Sequence, residues 1–208
     1  STVGNALATF GYDADPNAVV RGVSAPSGLL GDFAAEFNGQ GWLLGTIDGP
    51  AVALDQPFTW EAWVWRDPLS TKTYEDFLRI GDTIKFGMNT DHVFQATFLG
   101  VVDINSGSVV ETDMWVHLAC TWEPGVEVVF YKNGSEIATV PVTAMPKDYA
   151  NNRVSVGANN FGGSPFQGRL DRMRLHAGIL SPSQFDLGVT NPKEPIENVT
   201  LLSYGFNE

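Results

Sequence analysis

The 208-residue chain has a single cysteine, Cys120, and half as many basic as acidic residues. One cysteine excludes an intrachain disulfide and a thiolate zinc site. Twelve lysines and arginines against 24 acidic residues give a formal net charge of −12. The chain therefore lacks the basic footprint that nucleic acids and anionic lipids require. No apolar run approaches the roughly 18 residues of a membrane-spanning helix, so we expect neither a nucleic-acid partner nor membrane insertion.

The first four residues lack the basic and apolar regions of a signal peptide. Two explanations remain open: a signal has been removed, or Ser1 follows an excised initiator methionine. The first predicts secretion, and the second predicts release by lysis or incorporation into a virion. Both place the protein outside the cell or on a virion surface.

Apolar residues make up 43% of the chain and aromatic residues 12%, which is ample material for a core. Strand patterns dominate: residues 58–65, 114–122 and 126–131 are rich in aromatic and β-branched residues. The third run ends at Asn133-Gly134, a strong hairpin signal. Further strands are predicted at 76–80, 83–88, 92–98, 136–142, 153–156, 169–176 and 198–206.

Turn-forming clusters separate these runs at roughly 8–12 residues, a spacing typical of sandwiches and jelly rolls. The only helical signal is a short turn at 181–185, where Ser181 can cap and Pro182 can occupy the first helical position. We therefore predict an all-β, two-sheet antiparallel jelly roll over residues 1–187. Residues 188–208 are predicted to be a tether and a last strand. That strand would pack on the same domain or on a neighbour, and the second case would form a homo-oligomer.

Several blocks resemble, in order and spacing, the laminin-G-like jelly rolls of the concanavalin A-like lectin/glucanase superfamily. They are AAEFNG at 34–39, FTWEAWV at 58–64, WVHLA at 115–119, YKNG at 131–134, FQGRLDRMRLH at 166–176 and LS at 180–181. The resemblance implies two stacked, curved sheets, one convex and one concave. It does not fix the function, because this fold hosts lectins, glycanases, lyases and adhesion modules.

Glycanases of that superfamily use clustered carboxylates on one strand face, at the separation that retaining hydrolysis needs. Glu61 lies on such a strand, but its face carries Trp63 and Trp65 and no second carboxylate. His117 matches a family position where a packed, hydrogen-bonded histidine is expected. We therefore predict that the protein is not an enzyme.

Aromatic side chains are the best candidates for ligand contacts, because a sugar ring can stack on an indole. Trp63 matches a core position of the family, whereas Trp65 is additional and can pack in the core or face a ligand. Trp42 follows a glycine-rich turn and Phe161 lies on a predicted loop tip. The predicted ligand-binding residues are Trp42, Trp65, Asn159, Asn160 and Phe161.

A calcium ion is the one cofactor that the sequence suggests. Asp13 and Asp15 begin like an EF-hand loop, but the glycine and glutamate that such a loop needs are absent, so an Asx-rich turn is the alternative. The resemblance implies a structural calcium ion at Asp171, with Asp13 or Asp15 and carbonyl groups near Asn38. The alternative for Asp171 is a salt bridge to Arg169 or Arg172.

Two functions follow from these patterns. The first is a non-catalytic carbohydrate-binding or adhesion module, whose partner is a glycan or a surface protein. The second is a structural or interaction protein, such as a virion-surface decoration or fibre module.

Overall fold

The computed structural model describes residues 8–12, 19–24, 26, 33–47, 52–147, 150–151, 153–188, 193 and 200–204. In this part of the chain two antiparallel sheets stack face to face, and the only helix is a 3-10 turn at Pro182–Gln184. The predicted all-β, two-sheet fold is therefore confirmed. The same part of the chain contains no helix that is both long and apolar enough to cross a membrane.

The first sheet has seven strands. In spatial order they are β1 (Ala8–Tyr12), β4 (Leu43–Ile47), β15 (Arg153–Val156), β7 (Glu75–Ile80), β8 (Ile84–Met88), β9 (Val93–Phe98) and β10 (Val102–Val109). The second sheet has eight. Seven follow the order β13 (Ser135–Pro141), β12 (Glu127–Lys132), β11 (Trp115–Glu123), β6 (Phe58–Arg66), β16 (Gln167–Ala177), β3 (Phe33–Asn38) and β2 (Val19–Ser24), and β17 (Thr200–Tyr204) pairs with β16. Two short strands, β5 (Val52–Ala53) and β14 (Ala150–Asn151), form a separate pair.

The core lies between the sheets because apolar residues alternate along both. On β6, Phe58, Trp60, Ala62 and Val64 point inward and are buried. Trp60 stacks on Phe86 of the opposite sheet, with ring centroids 5.0 Å apart. Burying such large rings on both inner faces is the main source of stability in a sandwich.

The predicted strand bounds at 76–80, 83–88 and 92–98 each lie within one residue of the structure, and 153–156 matches it. Five strands were not predicted: β2, β4, β10 and the two-residue strands β5 and β14. Strand β10 is an edge strand whose sequence, VDINSGSV, is mostly polar, and only two of its eight residues are buried. Such a strand carries little apolar alternation for a sequence pattern to detect.

One edge of strand β16 pairs with β6, and the other edge is divided between two strands. Its first half, Gln167–Leu170, pairs with β3, and its second half, Met173–His176, pairs with β17. The C-terminal strand therefore lies in the second sheet of its own chain. Homo-oligomerisation through that strand stays a prediction.

Four connections meet at one end of the sandwich, which we call the rim. They are the β3–β4 turn (39–42), the β6–β7 loop (67–74), the β8–β9 turn (89–92) and the β15–β16 loop (157–166). The strand pairing places them together, because Asn38 is opposite Gln167, Gly168 is opposite Arg66, and Val156 is opposite Leu43.

Candidate functional site

The β15–β16 loop is a tight, internally hydrogen-bonded turn. The Asn159 side-chain oxygen accepts the backbone N–H groups of Phe161 and Gly163, both at 2.8 Å. The Asn159 backbone N–H also donates to the Gly163 carbonyl at 2.8 Å. These bonds fix the loop, and they leave the Phe161 ring at its tip with 79% of the residue exposed.

Trp42 supports this loop from the β3–β4 turn. A β-carbon added to Gly162 would lie 2.5 Å from the Trp42 ring, and Gly162 has a φ of +78°. The indole therefore packs directly against the loop backbone, at a position that only glycine fills without strain. Four of the five predicted ligand-binding residues, Trp42, Asn159, Asn160 and Phe161, come together at the rim.

Two buried polar atoms of this cluster lack a hydrogen-bond partner among the described residues. They are the Trp42 indole Nε1, a donor, and the Asn160 side-chain Oδ1, an acceptor. A buried polar group without a partner costs on the order of 1–3 kcal/mol. Both atoms are enclosed by protein, so a ligand would reach them only if the loop moved.

Trp65, the fifth predicted residue, lies outside this cluster. It is half-buried on the outer face of the second sheet, where the Arg169 guanidinium lies 4.6 Å from its ring centre. Arg169 in turn pairs with Glu36 at 3.0 Å. On the neighbouring strand β11, Trp115 is opposite Trp65. Trp115, Trp65 and Arg169 thus form a row across three strands, and the Arg169 guanidinium covers the Trp65 ring.

Glu61 is buried and surrounded by hydrogen-bond donors, so it does not face an open groove. One carboxylate oxygen lies 2.9 Å from His117 Nε2 and the other lies 3.0 Å from His176 Nε2, and the Asp186 backbone N–H donates to Glu61 at 2.8 Å. Burial raises the pKa of this carboxyl, but the bonds to both histidines and Asp186 outweigh burial and hold it well below its usual range. The expectation of a packed, hydrogen-bonded His117 is confirmed.

The predicted calcium ligands do not come together as expected. Both Asp171 carboxylate oxygens accept hydrogen bonds from Arg172, at 2.8 Å from its backbone N and 3.1 Å from Nε. Asn38 is opposite Gln167, four residues from Asp171 along β16, or about 13 Å at the usual rise per residue. The register therefore places Asp171 and Asn38 apart on neighbouring strands, and a calcium site that includes both stays a prediction.

Asp13 and Asp15, the remaining predicted ligands, lie outside the described residues. Within the part of the chain that the structure describes, no three His, Cys, Asp or Glu side chains form a metal-binding group. Calcium binding stays a prediction that these two aspartates carry.

A polar surface on the outer face of β7–β10 was missed. Asp76, Gln95 and Asn105 lie in one cross-strand row with Gly87, and Lys85 lies in the next. Both Asp76 carboxylate oxygens and Gln95 Oε1 are buried without a hydrogen-bond partner in the described residues, although Lys85 Nζ lies 3.5 Å from Asp76. Burial raises the pKa of Asp76. Alternation of polar and apolar residues along 84–88 and 93–98 is the signal that could have found this surface.

Comparison with known families and structures bears on the fold. A laminin-G family model, described as the concanavalin A-like lectin/glucanases superfamily, matches residues 43–185. Among curated proteins, none matches the chain.

Three solved structures illustrate the range of similar proteins. Domain 4 of AbnA, a GH43 extracellular arabinanase from Geobacillus stearothermophilus solved with arabinotriose, is 22% identical over 88% of this chain and 86% of its own, with a TM-score of 0.61. The botulinum neurotoxin serotype G binding domain is 12% identical over 88% of this chain and 45% of its own, with a TM-score of 0.63. Trypanosoma rangeli sialidase is 15% identical over 73% of this chain and 26% of its own, with a TM-score of 0.53. At these identities the similarity establishes the fold alone.

Proposed function

Because the chain belongs to the concanavalin A-like lectin/glucanases superfamily, a fold that hosts both binding modules and enzymes, we propose that it is a non-catalytic carbohydrate-binding module. Its binding site is the rim cluster of Trp42, Asn159, Asn160 and Phe161. Recognition of an external glycan would place the module outside the cell.

One observation carries this proposal. An exposed aromatic ring, Phe161, lies at the tip of the β15–β16 loop, which also carries the buried, unpartnered acceptor of Asn160 and packs against Trp42 of the β3–β4 turn. A sugar has an apolar C–H face that stacks on a ring and hydroxyl groups that donate and accept hydrogen bonds.

The surroundings of Glu61 support a binding role over hydrolysis. A glycosidase needs two carboxyl groups that reach the glycosidic bond from either side. Glu61 is fully buried and its carboxylate is occupied by two histidines and a backbone N–H. Glu61 lies on the strand that resembles the catalytic strand of glycanases in this superfamily, but a substrate cannot reach its carboxylate.

Charge narrows the expected ligand to a neutral glycan. At a net charge of −12 the protein repels polyanionic chains at low ionic strength. The AbnA domain was solved with arabinotriose, which makes this neutral trisaccharide a suitable first probe.

The test is calorimetric titration with arabinotriose, preceded by an array of neutral and anionic glycans. Phe161→Ala should weaken binding by about tenfold, equal to the loss of ~1.4 kcal/mol of stacking. Leu69→Ala is the matched control, because Leu69 is also 79% exposed and lies on the neighbouring rim loop. The control should bind like the parent protein.

The same titration distinguishes the alternatives. Gln95→Leu alters the polar face of β7–β10 and should leave rim binding unchanged. If Gln95→Leu abolishes binding while Phe161→Ala does not, the rim assignment is wrong and the polar face is the site. No binding to any glycan, combined with a stable homo-oligomer, would favour the structural or interaction role.

A further inference from the structure

Glu75, the first residue of β7, connects three of the four rim connections through its carboxylate. One oxygen accepts the backbone N–H of Gln167 at 2.8 Å, just after the β15–β16 loop. The other accepts the Ser70 hydroxyl of the β6–β7 loop at 3.2 Å and lies 3.8 Å from His92 Nδ1 in the β8–β9 turn. Glu75 is fully buried.

The contacts of β7 extend to the loop that carries Phe161. The Asp76 backbone N–H donates to the Ser164 carbonyl at 2.9 Å, and the Phe166 N–H donates to the Gly157 carbonyl at 2.8 Å. Glu75 and Asp76 together therefore hold the C-terminal end of the loop, while Trp42 supports its tip. A change in the hydrogen bonds of Glu75 can therefore shift Phe161, because the hydrogen-bonded loop 157–166 joins Phe161 to Gln167.

The groups that face Glu75 come from several elements. Arg66 at the end of β6 and Lys72 on the β6–β7 loop supply positive charge, and His92 supplies a ring nitrogen. Asp67 does not contact Glu75 directly. It accepts a hydrogen bond from the Gln167 side-chain amide at 2.9 Å. Burial raises the pKa of Glu75 to about 7, although the bonds from Gln167 and Ser70 and the charges of Arg66 and Lys72 oppose this.

His92 is suited to take part in this titration. It adopts a left-handed backbone conformation with a φ of 58°, and its Nδ1 is buried without a hydrogen-bond partner in the part of the chain that the structure describes. Burial and the charge of Arg66 lower its pKa, against the opposing charge of Asp91, so the ring is neutral near pH 7. A neutral Nδ1 can accept a hydrogen bond from a protonated Glu75.

We propose that Glu75 is a positioning residue for the Phe161 loop, and that a proton taken up on its carboxyl group and directed to His92 changes the loop position and the ligand affinity. The affinity part of this inference depends on the proposed function. In the ionised state Glu75 accepts from both Gln167 and Ser70 and holds the loops together. When the oxygen facing Ser70 and His92 takes a proton from solvent, it donates to His92 Nδ1 and releases Ser70. The other oxygen becomes a neutral carbonyl and holds the Gln167 N–H, next to the Phe161 loop, more weakly than a carboxylate does.

The first test needs no ligand. A two-dimensional NMR titration from pH 5 to 9 should show the Gln167 and Phe161 amide signals moving together, with a midpoint near pH 7. Glu75→Gln keeps the side-chain shape and should remove this transition. Glu111→Gln, at a carboxylate that pairs with Lys132 instead, should leave it unchanged. Signals that do not titrate, or a transition that survives in Glu75→Gln, would overturn the proposal.

His92→Asn separates the histidine from the carboxyl group. Asparagine tolerates the left-handed backbone conformation and removes the imidazole acceptor. The midpoint should therefore fall by a measurable fraction of a pH unit, because the protonated carboxyl loses its acceptor. An unchanged midpoint would exclude His92 as the proton partner.

The second test measures affinity for arabinotriose or for the best glycan from the array. If only the ionised form binds, a midpoint near 7 leaves about 0.9 of the protein competent at pH 8 and about 0.1 at pH 6, a tenfold weakening. Glu75→Gln should show no such pH dependence. A failure to bind any glycan rejects the proposed function, while the amide titration still decides the role of Glu75.

Discussion

The carboxylate of Glu61 and the Nε2 atom of His117 lie 2.9 Å apart inside the protein, where both residues are fully buried. His176 approaches the other carboxylate oxygen, and the Trp63 indole N–H donates to the Asp186 carbonyl at 2.9 Å. The segment after β16 is thereby fastened over the outer face of the second sheet. The Glu61 carboxylate therefore anchors a segment that covers this face.

Replacing this acid should destabilise the protein in a pH-dependent way. Glu61→Gln should cost about 2–4 kcal/mol at pH 7, because buried donors lose a charged acceptor. The folded-state pKa of Glu61 is lowered, so its contribution is present above the unfolded value near 4.3 and is lost as the pH falls. Urea unfolding at pH 7 and at pH 4 should show the gap between the parent and the variant narrowing at the lower pH.

Exposed Glu123 on β11 provides the control. Glu123→Gln should change the free energy of unfolding by less than about 0.5 kcal/mol at either pH. A Glu61→Gln variant as stable as this control would show that the histidines do not depend on the carboxylate.

The contact between Trp42 and Gly162 can be isolated with matched glycines. Gly162→Ala introduces two costs: a β-carbon in a left-handed backbone conformation, about 1–2 kcal/mol, and a collision with the Trp42 ring. Gly107 and Gly125 have φ values of +70° and +73° with nothing within 4 Å of an added β-carbon, so their alanine variants report the backbone cost alone. Unfolding measurements on the three variants should show the larger loss for Gly162→Ala.

Near-ultraviolet circular dichroism gives a second readout for this set. Gly162→Ala should change the tryptophan signal because the indole must move, whereas Gly107→Ala and Gly125→Ala should leave it unchanged. Equal losses of stability and identical spectra for the three variants would mean that Trp42 does not support the loop.

Much of the sandwich could be predicted from local pattern, because alternation along a strand assigns each side chain to a face. This placed Glu61, Trp63 and Trp65 on one face of β6 and Trp60 on the other, as the structure has them. The segment that covers a sheet face, however, comes from a distant part of the sequence. Asp186 donates to Glu61 from 125 positions away in the sequence, and no local sequence pattern predicts that contact.

The rim illustrates the same limit. Asn159 and Phe161 could be placed on a loop from composition, and Trp42 on a turn, yet their meeting depends on how the β4 and β15 strands pair. The distance between Asp171 and Asn38 has the same origin. Both residues match family positions, but their separation is set by the register of β16 against β3.

Calcium binding can be tested separately from the pairing of Asp171. Asp171→Asn should lower the melting temperature whether or not calcium is present, because Arg172 loses a buried partner. If Asp13 and Asp15 bind calcium, a hundredfold excess of the ion over its dissociation constant should stabilise the protein by about 2.7 kcal/mol. That rise should persist in Asp171→Asn and vanish in Asp13→Asn. If neither calcium nor EDTA changes the melting temperature, the protein does not bind a stabilising calcium ion.

Two arginines of β16 hold the segment that leads to the C-terminal strand. Arg172 donates to the Gly188 carbonyl at 2.7 Å, and Arg174 pairs with Asp186 at 3.1 Å and donates to the Lys193 carbonyl. Strand β17 then pairs with β16. Deleting residues 194–208 would leave the second half of β16 as an unpaired edge, which folded proteins avoid because it invites association.

We therefore expect the truncated chain to be less stable than the parent and to aggregate more readily, while the parent remains a monomer. Light scattering gives the oligomeric state, and urea unfolding gives the stability. Intramolecular pairing is favoured because the strand is tethered beside its partner, which gives it a high effective concentration. If the parent is an oligomer and the deletion yields a stable monomer, the strand exchanges between subunits. The structural or interaction role would then replace glycan binding as the better account of this chain.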